Sequence, residues 1–189
     1  DPAVVKVARN YFHYQPSDHT ELVVQDARVF TKREIQRIAA GAPQYDLVML
    51  DAFNGDYIPE HLLTREYLEE TRAIMAPGGV LAANTFAISR LYDHESTTYE
   101  SVFGAFLNYR LTQTGNRVIL AINEQETAPL ATAMQLEAAA VQLDPLLGPY
   151  EIELLPEIPD ILSDPDWDST ARVLTDQYSP ANILSSRRR

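Results

Sequence analysis

Not one cysteine occurs among the 189 residues. Disulfides, thiolate nucleophiles and cysteine-based metal sites are thereby excluded. Histidine is nearly as scarce: His13, His19, His61 and His94 are scattered and show no ligand spacing of the HExxH kind, so no metal site is expected. Glycine is thin as well. There are seven, and none forms the G-x-G of a nucleotide-binding loop. Positive charge is outweighed, with 15 Lys and Arg against 27 Asp and Glu and a net charge of −12. Non-specific nucleic-acid binding needs a basic footprint, so no nucleic-acid partner is expected, whereas a small cation suits an acidic surface. No apolar run approaches a membrane span and no signal peptide is visible, which makes a cytoplasmic protein without membrane contact the default.

What the chain does have is enough apolar material, 46% of residues, for one domain with a sizeable core. The stretch 45–59 organises the rest. Residues 47–50 read as a strand buried on both faces, and Asp51 stands where the apolar run stops. A loop with Asn54, Gly55, Asp56 and Pro59 follows. A carboxylate at the carboxyl end of such a strand is where open α/β sheets hold ligands. A solvated strand end is the plainer alternative.

Around this stretch the pattern alternates. Asp1 can cap a first helix with Pro2 in its first turn, and Val4, Val5, Ala8, Tyr11 and Phe12 share one face. Residues 21–24 read as a strand ending at Gln25-Asp26. A helix over 31–40 follows, with Ile35 and Ile38 inward. Thr64 caps the next helix, whose inner face is Tyr67, Leu68, Thr71, Ile74 and Met75. A tight turn at 76–79 leads into a strand over 80–86, and Asp93 caps a helix with Tyr99, Val102, Phe103 and Phe106 at helical spacing. Residues 108–112 and 117–122 flank a four-residue turn, a hairpin signal, and a helix over 129–143 follows. Strands and helices in this order predict a doubly wound α/β domain over 1–145, with an irregular tail over 146–189.

Four motifs in order resemble one family: Asp1-Pro2-Ala3-Val4-Val5, Val24-Gln25-Asp26-Ala27, Tyr45-Asp46-Leu47-Val48-Met49-Leu50-Asp51, and Ala76-Pro77-Gly78-Gly79-Val80-Leu81. Together they resemble spermidine synthases, the polyamine aminopropyltransferases, over residues 1–122. The likeness returns at Leu174-Thr175-Asp176-Gln177-Tyr178-Ser179-Pro180. The resemblance implies the Rossmann-like fold of class I methyltransferases with a terminal antiparallel hairpin. It implies transfer of an aminopropyl group from decarboxylated S-adenosylmethionine to a diamine such as putrescine. Carried over by position, Asp51 deprotonates the attacking amine. Asp26 binds the adenine amino group with Ala27 beside it, and Asp1 lies near the donor's amine end. Asn54, Tyr57 and Asn84 face the amine substrate, with Asp56 and Tyr92 as further pocket candidates. A small diamine is the implied partner, and a homodimer is allowed.

The chain departs from the family pattern in two places: Asn54 stands at the second acid of the loop, and Tyr109 to Asn116 replaces a tyrosine segment that contacts the diamine. Two other readings therefore stay open, a class I methyltransferase using S-adenosylmethionine and a non-catalytic binding module. The implied strand order is 3-2-1-4-5-7-6. The expectation is that this chain holds the third strand and the fourth to seventh, while the first two and the glycine loop precede Asp1. The strand over 21–24 would then either lack a neighbour or pair directly with 47–50.

Overall fold

In a computed structural model, residues 1–53, 57–111, 114–124 and 129–180 are described. Helices α1 (Pro2–Tyr11) and α2 (Ala27–Ala39) precede strand β1 (Tyr45–Leu50). Then come α3 (Arg65–Ile74), β2 (Met75–Phe86), α4 (Leu91–Phe103), β3 (Leu107–Leu111), β4 (Asn116–Ile122), α5 (Ala133–Leu147) and β5 (Ile161–Leu162). The five strands form one sheet in the order β1-β2-β4-β3-β5. β1 and β2 run parallel, and the remaining pairs are antiparallel. β1, β2, β4 and β3 occupy the expected 4-5-7-6 half of the order, hairpin included. The fold is the Rossmann-like, methyltransferase-type α/β sheet, and the described residues form none of the first three strands of that plan.

Side chains sort the sheet into two unlike faces. Val48, Leu50, Leu81, Ala83, Ile119 and Ala121 point one way and pack against Tyr67 and Leu68 of α3 and Leu91, Tyr99 and Val102 of α4. Thr64 caps α3 by accepting from the Tyr67 N–H, as expected, and Tyr67, Leu68, Thr71 and Ile74 are its buried side. On the other face Leu47 is 56% exposed and Met49 71%. The run 47–50 is therefore a strand covered on one face, not two. Four consecutive apolar residues could not distinguish these cases.

Several local expectations are corrected. Residues 21–24 form no strand: Leu22, Val23 and Val24 are exposed, and β1 pairs only with β2 among the described strands. A strand without a neighbour has no ladder to join. α1 buries none of its residues despite its apolar face. α2 starts at Ala27, and its buried positions are Thr31 and Glu34, with Ile35 and Ile38 half-buried. Glu34 is tied down by the Tyr45 hydroxyl at 2.8 Å and by Arg37 at 3.0 Å. α4 begins two residues before Asp93, whose carboxylate instead accepts from the Asp168 N–H. α5 starts at Ala133 under a Thr132–Gln135 capping box. The turn at 76–79 sits inside β2, as a break in register between the pairs Tyr45–Met75 and Leu47–Val80. Gly79 passes so near β1 that a Cβ there would lie 2.9 Å from the Ala76 carbonyl oxygen and 3.0 Å from that of Tyr45.

The segment after α5 closes over the body. β5 adds to β3, Trp167 stacks on Phe106 with ring centres 4.8 Å apart, and Leu174 is fully buried. Leu174 accepts from the Arg65 N–H and donates its own N–H to the Thr98 hydroxyl. Among the described residues no helix is long and apolar enough to cross a membrane, and no cluster of three His, Cys, Asp or Glu is placed to hold a metal.

Candidate active site

β1 delivers Asp51 to the carboxyl end of the sheet, at the described edge and not at its centre. Because Leu50 pairs with Ala83, Asp51 comes beside Asn84 of β2. The Asn84 amide donates to Asp51 Oδ1 at 3.0 Å. Asn84 in turn accepts, through its own Oδ1, from the Asn116 side-chain amide at 3.2 Å. Asp51 is exposed, and both asparagines are half-buried. All three lie on the open face. Phe53, two residues past Asp51, meets Phe86 edge-on at 5.2 Å and so pins the start of the loop to β2.

Asp26 is the N-cap of α2. One carboxylate oxygen accepts from the Arg28 and Val29 N–H groups at 3.0 and 3.1 Å. The other lies 2.9 Å from Nε2 of His61. That His61 hydrogen bond, aided by the Val29 N–H, holds the Asp26 carboxyl below the usual carboxylate range. His61 belongs to the 3-10 turn Glu60–Leu62, within the connection that leaves β1. Asp26 and Asp51 are thus attached to the same connection, one through a hydrogen bond and one through the chain. Arg28 then secures α2, donating to both oxygens of Glu70 (2.8 and 2.9 Å) and both of Asp176 (2.6 and 2.8 Å).

The remaining candidates scatter. Asp1 caps α1, accepting from the Ala3 N–H at 2.7 Å. Ala27, first in α2, packs against the core. Tyr57 is half-buried in the loop after β1. Asn54 and Asp56 lie outside the described residues. Tyr92 is not a pocket wall but a buried support: its ring lies 4.0 Å beneath the Arg117 guanidinium and its hydroxyl donates to Asp166. The sequence marks neither His61 nor Asn116 as a site residue. A lone histidine and a turn asparagine carry no spacing signal, and only the folded register brings them to Asp26 and Asn84.

No family model matches the chain. A polyamine aminopropyltransferase of Vibrio vulnificus is 49% identical over 185 residues, which is 97% of this chain and 59% of that protein. The chain therefore spans less than two thirds of the length of this relative. Among solved structures, human methyltransferase-like protein 13 in complex with SAH superposes with a TM-score of 0.64 at 21% identity, covering 90% of this chain and 72% of that one. A probable spermidine synthase from Corynebacterium glutamicum gives 0.55 at 20% identity, over 76% and 52%. At these identities the two structures speak for the fold alone. Over 97% of its length the chain is similar to a polyamine aminopropyltransferase, and its fold is the methyltransferase-type α/β plan.

Proposed function

We propose that this chain carries the amine-activating side of an aminopropyltransferase, with Asp51 as the general base. The observation that supports it most is the Asn84–Asp51 hydrogen bond at the carboxyl end of the sheet, in a chain 49% identical to a polyamine aminopropyltransferase. A protonated amine has no lone pair. A carboxylate that takes one proton and holds the nitrogen in line makes it a nucleophile. Nitrogen then bonds to the carbon next to the sulfonium, the carbon–sulfur bond breaks, and its electron pair stays on sulfur as a neutral thioether. The proton resides on Asp51. No charge builds on the leaving group, so the step asks for no oxyanion hole. Asn84 turns the carboxylate, and Asp51 Oδ2 is the oxygen offered to the amine.

The donor in this reading is decarboxylated S-adenosylmethionine, which supplies the sulfonium-activated carbon. Asp26 suits its adenine amino group, because a carboxylate oxygen has a lone pair to spare beside the His61 contact. Ala27 leaves room at the start of α2, and Asp1 offers a carboxylate toward the amine end. Tyr57 and Asn54 are proposed amine contacts, the first through its aromatic face. A diamine such as putrescine is the acceptor.

A second reading is methyl transfer from S-adenosylmethionine, since one α/β plan can carry either reaction. The test uses the full-length natural protein. Calorimetry with methylthioadenosine, then putrescine, should show ordered binding, and the product mass separates aminopropyl from methyl transfer. Asp51→Asn should lower kcat by about 10²–10⁴-fold with donor affinity unchanged. An unchanged rate at saturating amine would show that another group takes the proton.

A further inference from the structure

Asn116 is the first residue of β4 and lies diagonally across from Asn84, since Asn84 pairs with Val118 and Phe86 with Asn116. Diagonal neighbours on one face of an antiparallel pair are within reach of side chains of this length. The contacts then form a chain: Asn116 Nδ2 to Asn84 Oδ1 at 3.2 Å, and Asn84 Nδ2 to Asp51 Oδ1 at 3.0 Å.

The polarity of this chain is dictated from one end. An ionised carboxylate only accepts hydrogen bonds. Asn84 must therefore present its NH₂ to Asp51, which turns its carbonyl oxygen toward Asn116. Asn116 must then donate. A primary amide has two nearly isosteric ends, so packing alone selects between them weakly; the Asp51 carboxylate makes the selection, and the donor at position 116 reinforces it. Were Asn84 to rotate by half a turn, its carbonyl would face the Asp51 carboxylate, oxygen against oxygen.

We infer that Asn116 is a positioning residue for the proton-accepting carboxylate, acting through Asn84 and never touching the substrate. The inference rests on the reading of Asp51 as the base. Position 116 also suits the task mechanically. Its backbone N–H is held by the Thr114 hydroxyl at 3.3 Å, and Arg117 next to it is fully buried on the opposite face, donating to Thr85 at 2.9 Å and Ser96 at 2.7 Å. The amide at 116 thus stands on a strand fixed from behind.

The test compares three variants in the full-length natural protein, with decarboxylated S-adenosylmethionine and putrescine as substrates. Asn116→Ser keeps a shorter donor, Asn116→Ala has none, and Asn116→Asp offers an acceptor that draws the Asn84 NH₂ away from Asp51. The expected order of kcat is Ser, Ala, Asp. The loss should be about 3- to 10-fold for Ala and about 10- to 100-fold for Asp, with donor KM unchanged. The acidic limb of the kcat/KM profile moves to higher pH in the same order, a change that loss of strand stability does not produce. If all three variants keep the parent kcat and pH profile while Asp51→Asn collapses turnover, the positioning role is overturned and the base assignment survives. If kcat instead follows thermal stability across the three, the role is likewise overturned. An unchanged Asp51→Asn removes the base assignment, and this inference with it.

Discussion

The two faces of the sheet are made by alternate residues of the same strands and yet obey different rules. On the covered face, Leu81, Ala83, Ile119 and Ala121 are fully buried, and Thr85 and Arg117 continue the layer with a polar pair. On the open face, one residue out of step, stand Met49, Asp51, Ala82, Asn84 and Asn116. The covered face holds its charge away from the surface. Arg117 and Glu95 are both fully buried with 3.6 Å between them, and neither Glu95 oxygen has a hydrogen-bond partner among the described residues. The open face holds its carboxylate at the surface and orients it with neutral amides. Buried charge specifies packing at a cost in desolvation, whereas an exposed and oriented carboxylate remains able to trade a proton.

The largest effect should come from breaking the covered face. Arg117→Met removes the counterion of Glu95 and the cation above the Tyr92 ring, and should cost about 3–5 kcal/mol in urea unfolding near neutral pH. A loss no larger than that of a surface variant would mean that the buried pair contributes nothing to stability. Leu81→Ala tests the apolar part of the same face and should cost about 2–5 kcal/mol, while Met49→Ala on the open face of the adjacent strand stays within about 0.5 kcal/mol. Equal costs would erase the distinction between the faces.

A pH series sharpens it further. Burial outweighs the charge of Arg117 and pushes Glu95 up from 4.5 to about 7. Between those values the folded chain keeps a proton that the unfolded chain has lost. Its stabilising contribution is full below the lower value and is lost as pH rises through the higher one, on the order of 3 kcal/mol in all. Urea midpoints should therefore fall between about pH 5 and about pH 8, and Glu95→Gln should flatten the trend. A parent profile that is already flat would place the titration elsewhere.

Much of the covered face was legible in the sequence. The helical spacing of Tyr67, Leu68, Thr71 and Ile74, the Thr64 cap and the hairpin all report local physics, and they hold in the structure. The open face was not. The run 47–50 reads as doubly buried because hydropathy records apolarity and not what lies against it. Residues 21–24 have strand composition and no strand, since a ladder needs a partner that propensity cannot supply. The acids at 26 and 51 could be singled out as ends of apolar runs. Asn84 could be placed only by resemblance, and Asn116 and His61 not at all, because a cross-strand diagonal and a hydrogen bond over 35 positions are properties of register.

The clamp around Arg28 has a consequence in time. Its two carboxylate partners come from Glu70 and from Asp176, which is 148 positions later in the chain. During synthesis α2 emerges well before Asp176, and its Asp26 cap is local and can form at once. The seat of that helix stays half-built until residue 176 has left the ribosome, because one of the two acids gripping Arg28 does not yet exist. The acids of the candidate site are thus made well before the last part of the frame that holds one of them. Contacts of such long sequence separation form late in folding as well, since their loop must close before they contribute.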